Sequence, residues 1–175
     1  GDIFKTTTIL KEKEIKQISD LASLAPLHNG AAVQVINAFK QIFPNAILTG
    51  TFDTSFHTTI NKVNSTYPIK KALVEDLKIK KYGAHGTSHK FITRKLEKTL
   101  GKDKVTFLSM HIGSGASLCA VQDSKSFDTS MGLTPLAGII MGTRSGDIDP
   151  SIHEYVCKEK GISIEEFTRI LNKES

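Results

Sequence analysis

The stretch from residue 105 to 150 constrains the chain most. Its apolar opening, Val105-Thr106-Phe107-Leu108-Ser109-Met110, alternates little and so reads as a strand buried on both faces. Next come His111-Ile112-Gly113-Ser114-Gly115-Ala116-Ser117, a strand over 118–122, a turn at Asp123-Ser124-Lys125 and a short strand over 126–129. Two glycines one residue apart permit a tight turn whose successive N–H groups point at one anion. Neither common phosphate-loop string fits. No G-x-x-x-x-G-K-[ST] occurs, and Leu118 stands where a dinucleotide fingerprint needs its third glycine, with a strand behind it instead of a helix. What remains is a strand, a glycine turn and a second strand.

Sugar kinases, actin and Hsp70 hold ATP phosphates with such a hairpin, although a plain β-hairpin turn has the same pattern. The residues that follow carry more information. Asp128-Thr129-Ser130-Met131-Gly132-Leu133-Thr134-Pro135-Leu136, then Gly138, then Met141-Gly142-Thr143-Arg144-Ser145-Gly146-Asp147-Ile148-Asp149-Pro150 closely resemble the signature of the acetate kinase (acetokinase) family, which includes propionate and butyrate kinases. The resemblance extends over nearly all 175 residues. It implies an α/β fold of the ribonuclease H-like kind, shared with sugar kinases, actin and Hsp70. Members are more than twice as long, so the chain is expected to be a central segment. Residues 1–54 would be the C-terminal part of a first lobe. Residues 55–175 would be the N-terminal part of a second, with the phosphate hairpin and the catalytic loop.

Size and composition are ordinary for a globular protein. The chain is long enough for one domain or two small ones, with 39% hydrophobic and 23% charged residues. No apolar run approaches the ~20 residues of a membrane span, and 1–10 has no signal-peptide core. No membrane association and a cytoplasmic location are therefore expected. Two cysteines, Cys119 and Cys157, make no disulfide framework. The net charge of +5 suits an anionic substrate. Nucleic acid is not expected as a partner: the lysines are spread along helix faces, with no Trp and only three Tyr for base stacking.

Periodicity predicts the flanking elements. A strand ends near 6–10. A helix over 11–24 carries Ile15, Ile18, Leu21 and Leu24, and a second, capped by Asn29, turns Ala32, Val35, Ile36, Phe39, Ile42 and Phe43 inward. A strand over 46–51 delivers Asp53 at its C-terminal end, where α/β sheets place chemistry. Residues 56–66 are irregular. Pro68 starts a helix with Ile69, Leu73 and Leu77 facing inward. Residues 82–89 form a loop, with Thr87 or Ser88 capping a helix that Gly101 ends. One helix runs from Asp149-Pro150 to Gly161. The last opens on a Ser163/Glu166 capping box and buries Phe167, Ile170 and Leu171.

The resemblance implies transfer of the ATP γ-phosphoryl to acetate, by in-line displacement, giving acetyl phosphate. ATP and Mg²⁺ are the implied cofactors, acetate or another short-chain carboxylate the substrate, and a homodimer the complete assembly. A carboxylate is already ionised at neutral pH, so the work is positioning and charge neutralisation. Arg144, open between Gly142 and Gly146, is the implied active-site arginine. The alternative is a loop pin through Asp147 or Asp149. His85 matches the histidine that hydrogen-bonds the transferring group, and His89 and His111 match others near it. Asp53 matches a catalytic aspartate near the metal, the alternative being an Asx turn or helix cap. His111, Gly113, Ser114 and Gly115 would hold phosphate, with Ser114 in place of the usual Asn.

Leu27 and Pro135 match the acyl pocket. Ala84 stands where Phe is usual, which implies a larger pocket that excludes propionate or butyrate less. His85-x-x-x-His89 has metal-ligand spacing, but Gly86-Thr87-Ser88 disfavours the helix that would align both rings, so no protein metal site is assigned. A truncated, non-catalytic relative and a kinase for a larger acid such as propionate stay open as alternatives.

Overall fold

Residues 3–21 and 26–175 are described by the computed structural model, 26–28 through their backbone alone. The chain divides into two units, Asp2–Phe52 and Asp53–Ser175. In the smaller unit, strand β1 (Thr8–Ile9) leads into helix α1 (Glu12–Asp20), helix α2 (Pro26–Ile42) and strand β2 (Thr49–Gly50), which pairs antiparallel with β1. The apolar stripe of α1 buries Ile15 and Ile18 with Phe4 and Leu10, and Val33, Ile36, Leu48 and Phe52 pack on this cluster. The rings of Phe4 and Phe52 stack at 4.4 Å.

Two expectations fail here. Helix α2 begins at Pro26, whose fixed φ and missing N–H suit a first helical turn, rather than after Asn29. The Asn29 amide instead donates to Leu21 O (3.1 Å) at the end of α1. The inward face of α2 is Val33 and Ile36, while Val35, Phe39, Ile42 and Phe43 are exposed. The side chains of Leu24 and Leu27 lie outside the described residues.

The larger unit opens with a 3-10 turn (Ser55–Thr59) and the short helices α3 (Lys62–Ser65) and α4 (Lys71–Asp76). Helix α4 starts three residues after Pro68, because Lys70 is still extended (ψ 121°). Ile69, Leu73 and Leu77 are exposed, against expectation. Helix α5 (Gly86–Leu100) precedes an antiparallel meander of β3 (Phe107–Ile112), β4 (Ala116–Gln122) and β5 (Lys125–Thr129). Asp123 and Ser124 both take positive φ (50° and 63°), the geometry a two-residue hairpin requires.

Helices α6 (Ser151–Lys160) and α7 (Ile164–Lys173) follow. Gly161 caps α6 in the left-handed region. Ser163 Oγ accepts from Glu166 N, but the Glu166 carboxylate turns to Arg169, so only half of the capping box forms. Phe167 and Leu171 are buried. Among the described residues no helix is long and apolar enough to cross a membrane.

Strand β3 is not buried on both faces. It alternates, but with the usual sense inverted. Ser109 is 4% exposed, whereas Leu108, Met110 and Ile112 are 54%, 62% and 69% exposed. The cross-strand pairs Ser109↔Cys119 and His111↔Ser117 continue the inward face onto β4. The 3-10 turn and α5 pack against the sheet, and the buried side chains among these elements are mostly polar: His57, His89, Thr93, Ser109, Ser117, Ser126 and Thr129. Among the described residues no buried side-chain nitrogen or oxygen lacks a hydrogen-bond partner, as burial of such groups demands.

Candidate active site

Two glycine-rich loops meet at the end of this sheet. Gly113 N donates to Gly115 O (3.0 Å), closing the turn between β3 and β4. Gly142 N donates to Ser114 O (3.1 Å), which seats the 141–146 loop on that turn. The loop is held from behind: Met141 N donates to Arg144 O, Ser145 N to Leu171 O and Gly138 N to the Asp147 carboxylate. Gly146 has φ +71°, and a Cβ there would stand 2.5 Å from Gly138 O.

Arg144 projects from this support across Gly115. Its Nη1 donates to Pro135 O (2.8 Å), and a Cβ placed on Gly115 would lie 3.0 Å from Nη2 and 3.6 Å from His85 Nε2. The missing side chain of Gly115 is thus the space on which guanidinium and imidazole converge. A loop pin through an aspartate does not form. Asp147 accepts from Gly138 N and Asp149 from Ser151 N, and no carboxylate among the described residues pairs with Arg144.

His85 occupies the left-handed region (φ 57°, ψ 19°) as the residue before α5, a conformation that costs a non-glycine residue about 1–2 kcal/mol. Its surroundings fix it there. Asp53 Oδ2 accepts from His85 N (2.6 Å), Oδ1 from Thr87 N (3.3 Å) and the Asp53 carbonyl from Gly86 N (2.8 Å). Asp53 therefore serves as a distant cap for the amino end of α5, where unpaired N–H groups and the helix dipole favour a carboxylate. That is why the helix starts at Gly86 and not at Thr87 or Ser88. The carbonyl of the preceding residue, Ala84, accepts from His57 Nε2 (2.9 Å), whose Nδ1 accepts from Ser126 Oγ (2.8 Å).

The histidines form one cluster. His111 stacks on His85 at 4.0 Å with an interplanar angle of 23°, and its Nδ1 is 3.0 Å from Ser88 Oγ. His85 Nδ1 and His89 Nε2 both reach Ser117 Oγ, at 3.0 and 2.9 Å, while His89 Nδ1 meets Ser109 Oγ at 2.8 Å. The helix that Gly86-Thr87-Ser88 was expected to disfavour does form, yet a serine hydroxyl stands between the two rings. Burial lowers the pKa of His57, His85 and His89 below the ordinary value, with the neighbouring imidazoles adding to the effect at His85 and His89. For His85 the Asp53 charge works in the opposite direction, and Arg144 lowers its pKa further. These rings are neutral at pH 7.

Of the residues assigned to an acyl pocket, Ala84 packs against Ala116, Met131 and Met141, and Pro135 offers its carbonyl to Arg144. Ser114 is exposed on the glycine turn. Among the described residues no group of three His, Cys, Asp or Glu side chains is arranged to hold a metal. Ser109, Ser117 and His57 were not singled out from the sequence, and Ser88 only as a helix cap. The signal for them lies in alternation: 109 and 111 on one strand face 117 and 119 on the next, and His85 and His89 are one helical turn apart.

A family model described as the acetokinase family matches residues 1–175. The chain belongs to the acetokinase family. It is 60% identical over 166 residues to the acetate kinase of Mycoplasmopsis pulmonis (strain UAB CTIP), covering 95% of this chain and 42% of that protein. It is 44% identical to the acetate kinase of Limosilactobacillus fermentum, over all of this chain and 44% of the relative. Among solved structures, a propionate kinase from Francisella tularensis superposes over the whole chain and 46% of its own length (TM-score 0.97, 44% identity). The acetate kinase of Porphyromonas gingivalis does so over 44% of its length (TM-score 0.93, 32% identity). The fold is accordingly the α/β fold of these acetokinase-family kinases, and the chain spans less than half the length of the curated relatives it matches.

Proposed function

We propose that this acetokinase-family chain supplies the phosphoryl-transfer face of an ATP:acetate phosphotransferase. The observation that carries the reading is the convergence of Arg144 and His85 over the α-carbon of Gly115. In this reading residues up to about 54 belong to one lobe of the complete enzyme and the rest to the other. The complete enzyme is a cytoplasmic homodimer.

The residues fit a phosphoryl group. The space above Gly115 is bordered by a guanidinium and an imidazole nitrogen, and the bond from Arg144 to Pro135 O uses only Nη1. When bound, ATP supplies the γ-phosphoryl group. Arg144 then neutralises charge on that group or on the acceptor carboxylate, two ligands whose geometry its planar fork matches. His85, neutral, donates a hydrogen bond without adding a full charge. Gly113, Ser114 and Gly115 would hold the phosphates, since they offer nothing but backbone and one short side chain, and His111 stacks on His85. No general base is needed, since the acceptor is already an anion.

Asp53 contributes by holding the His85 backbone, and both of its oxygens are committed to N–H groups. A Mg²⁺ ion would arrive with the nucleotide phosphates, which commonly supply most of its non-water ligands. The short side chain of Ala84 favours, as a second reading, a larger acid such as propionate.

The test is acyl-phosphate formation trapped with hydroxylamine. It is run on the purified chain and on a chimera in which this chain replaces the matched segment of the Mycoplasmopsis pulmonis protein. Product from the chimera that is lost on Arg144→Ala supports the reading. A folded chimera that transfers equally well with Ala at 144 refutes it.

A further inference from the structure

Three hydrogen bonds, the first partly buried and the other two buried, join His85 to the interior of the sheet: His85 Nδ1 to Ser117 Oγ, Ser117 Oγ to His89 Nε2, and His89 Nδ1 to Ser109 Oγ. Ser117 is 0% exposed and Ser109 is 4% exposed. Each hydroxyl brings one proton, and a neutral imidazole brings one proton to two nitrogens. Where those protons go is therefore a bookkeeping question with few solutions.

Consider first His89 protonated on Nδ1. It would donate to Ser109 Oγ, and the serine's own proton would need another acceptor. Among the described residues Ser109 Oγ has no hydrogen-bond partner except His89. A buried hydroxyl proton would then go unpaired. Ser109 must instead donate to His89 Nδ1, which puts the proton of His89 on Nε2, donating to Ser117 Oγ. Suppose next that His85 also donated to Ser117, from Nδ1. The Ser117 proton would then be the orphan, because its only partners among the described residues are the two rings. One arrangement remains, in which Ser109 donates to His89, His89 to Ser117 and Ser117 to His85 Nδ1.

We propose that Ser117, with His89 and Ser109 behind it, acts as a set of positioning residues that fix His85 as its Nε2–H tautomer. The nitrogen so protonated is the one facing Gly115 and Arg144. The chain of donors thus makes His85 a permanent donor toward the glycine turn. The tautomer follows from the hydrogen bonds alone; its use toward a phosphoryl group rests on the function proposed above. His57 belongs to a separate branch, running to Ala84 O and Ser126 Oγ.

The experiment is imidazole nitrogen and carbon NMR on the full chain labelled with ¹⁵N-histidine, at neutral pH, for the wild type and for Ser117→Ala and Ser109→Ala. Nδ1 and Nε2 differ in shift according to which is protonated. The expected result is the Nε2–H signature for both His85 and His89 in the wild type. Ser117→Ala is expected to convert His85 to a mixture of tautomers. Ser109→Ala is expected to do the same at two residues' remove, which a merely structural contact would not. The His57 signals report whether each variant keeps its fold.

His85 protonated on Nδ1 in the wild type overturns the proposal whatever the variants do. So does an unchanged Nε2–H signature in a folded Ser117→Ala. An Nε2–H signature in a chain whose acyl-phosphate formation survives His85→Ala would refute the functional reading and leave the relay standing.

Discussion

Acid should destabilise this protein through His89. The ring is 0% exposed, and its pKa lies at about 4 instead of the ordinary 6.5. Burial is the first cause, and His57, His85 and His111 add repulsion that Asp53 only partly offsets. A proton on Nδ1 would also confront the hydroxyl that already donates there. The unfolded chain takes up its proton as pH falls through 6.5, while the folded chain holds out until about 4. Stability is thus complete above the upper value and drains away as pH falls toward the lower.

The gap is equivalent to roughly 3 kcal/mol at its limit and about 2 kcal/mol by pH ~5. His57 and His85 shift in the same direction and steepen the loss. Two measurements check it: the NMR titration of the His89 ring in the folded protein, and urea midpoints between pH ~7.5 and ~5. The ring should not titrate above pH ~5, and the midpoint should fall. A folded-state midpoint near the ordinary histidine value, or stability flat over that range, would refute the reasoning.

Asp53→Asn keeps one acceptor and removes the charge from the amino end of α5. It should cost about 1–2 kcal/mol, read as a melting temperature lower by several degrees, with faster amide exchange at His85 and Thr87. Unchanged exchange at both amides would argue against the capping role. Gly115→Ala carries no left-handed strain, so it probes only the space above the turn. The methyl would push on Arg144 Nη2 from 3.0 Å, loosening the bond to Pro135 O. Acyl-phosphate formation should fall about 10–100-fold with melting lowered by little, and a fully active variant would show that the space is not used.

The sequence made the meander legible because glycines, a turn and three short strands follow one another over 25 or so residues, so that local signals suffice. The Arg144 loop was legible through family resemblance, whereas its meeting with His85 over Gly115 depends on 30 to 60 intervening residues. The cap of α5 was hidden for the same reason. Asp53 lies 32 positions before the His85 N–H that it accepts from, and no window of local pattern spans that. The inverted face of β3 was hidden differently. Ser109 lay in a strand read as buried on both faces and Ser117 ahead of the strand at 118–122, and only the sheet register shows that both turn inward to meet imidazoles. In α2 and α4 periodicity found helices but misjudged which side is covered, because coverage depends on neighbours and not on the helix itself.

The polar interior of the larger unit has a thermal consequence. Unfolding an ordinary domain exposes mainly hydrocarbon, and the ordering of water around it gives a large heat-capacity increment and a sharply curved stability profile. Here what unfolding exposes includes hydroxyl and imidazole from Ser109, Ser117, Ser126, Thr93, Thr129, His57 and His89, beside the hydrocarbon of Val121, Met131, Phe167 and Leu171. Hydration of such groups lowers the increment. The stability curve of the unit is therefore expected to be flatter, so that its stability changes less between cold and warm conditions.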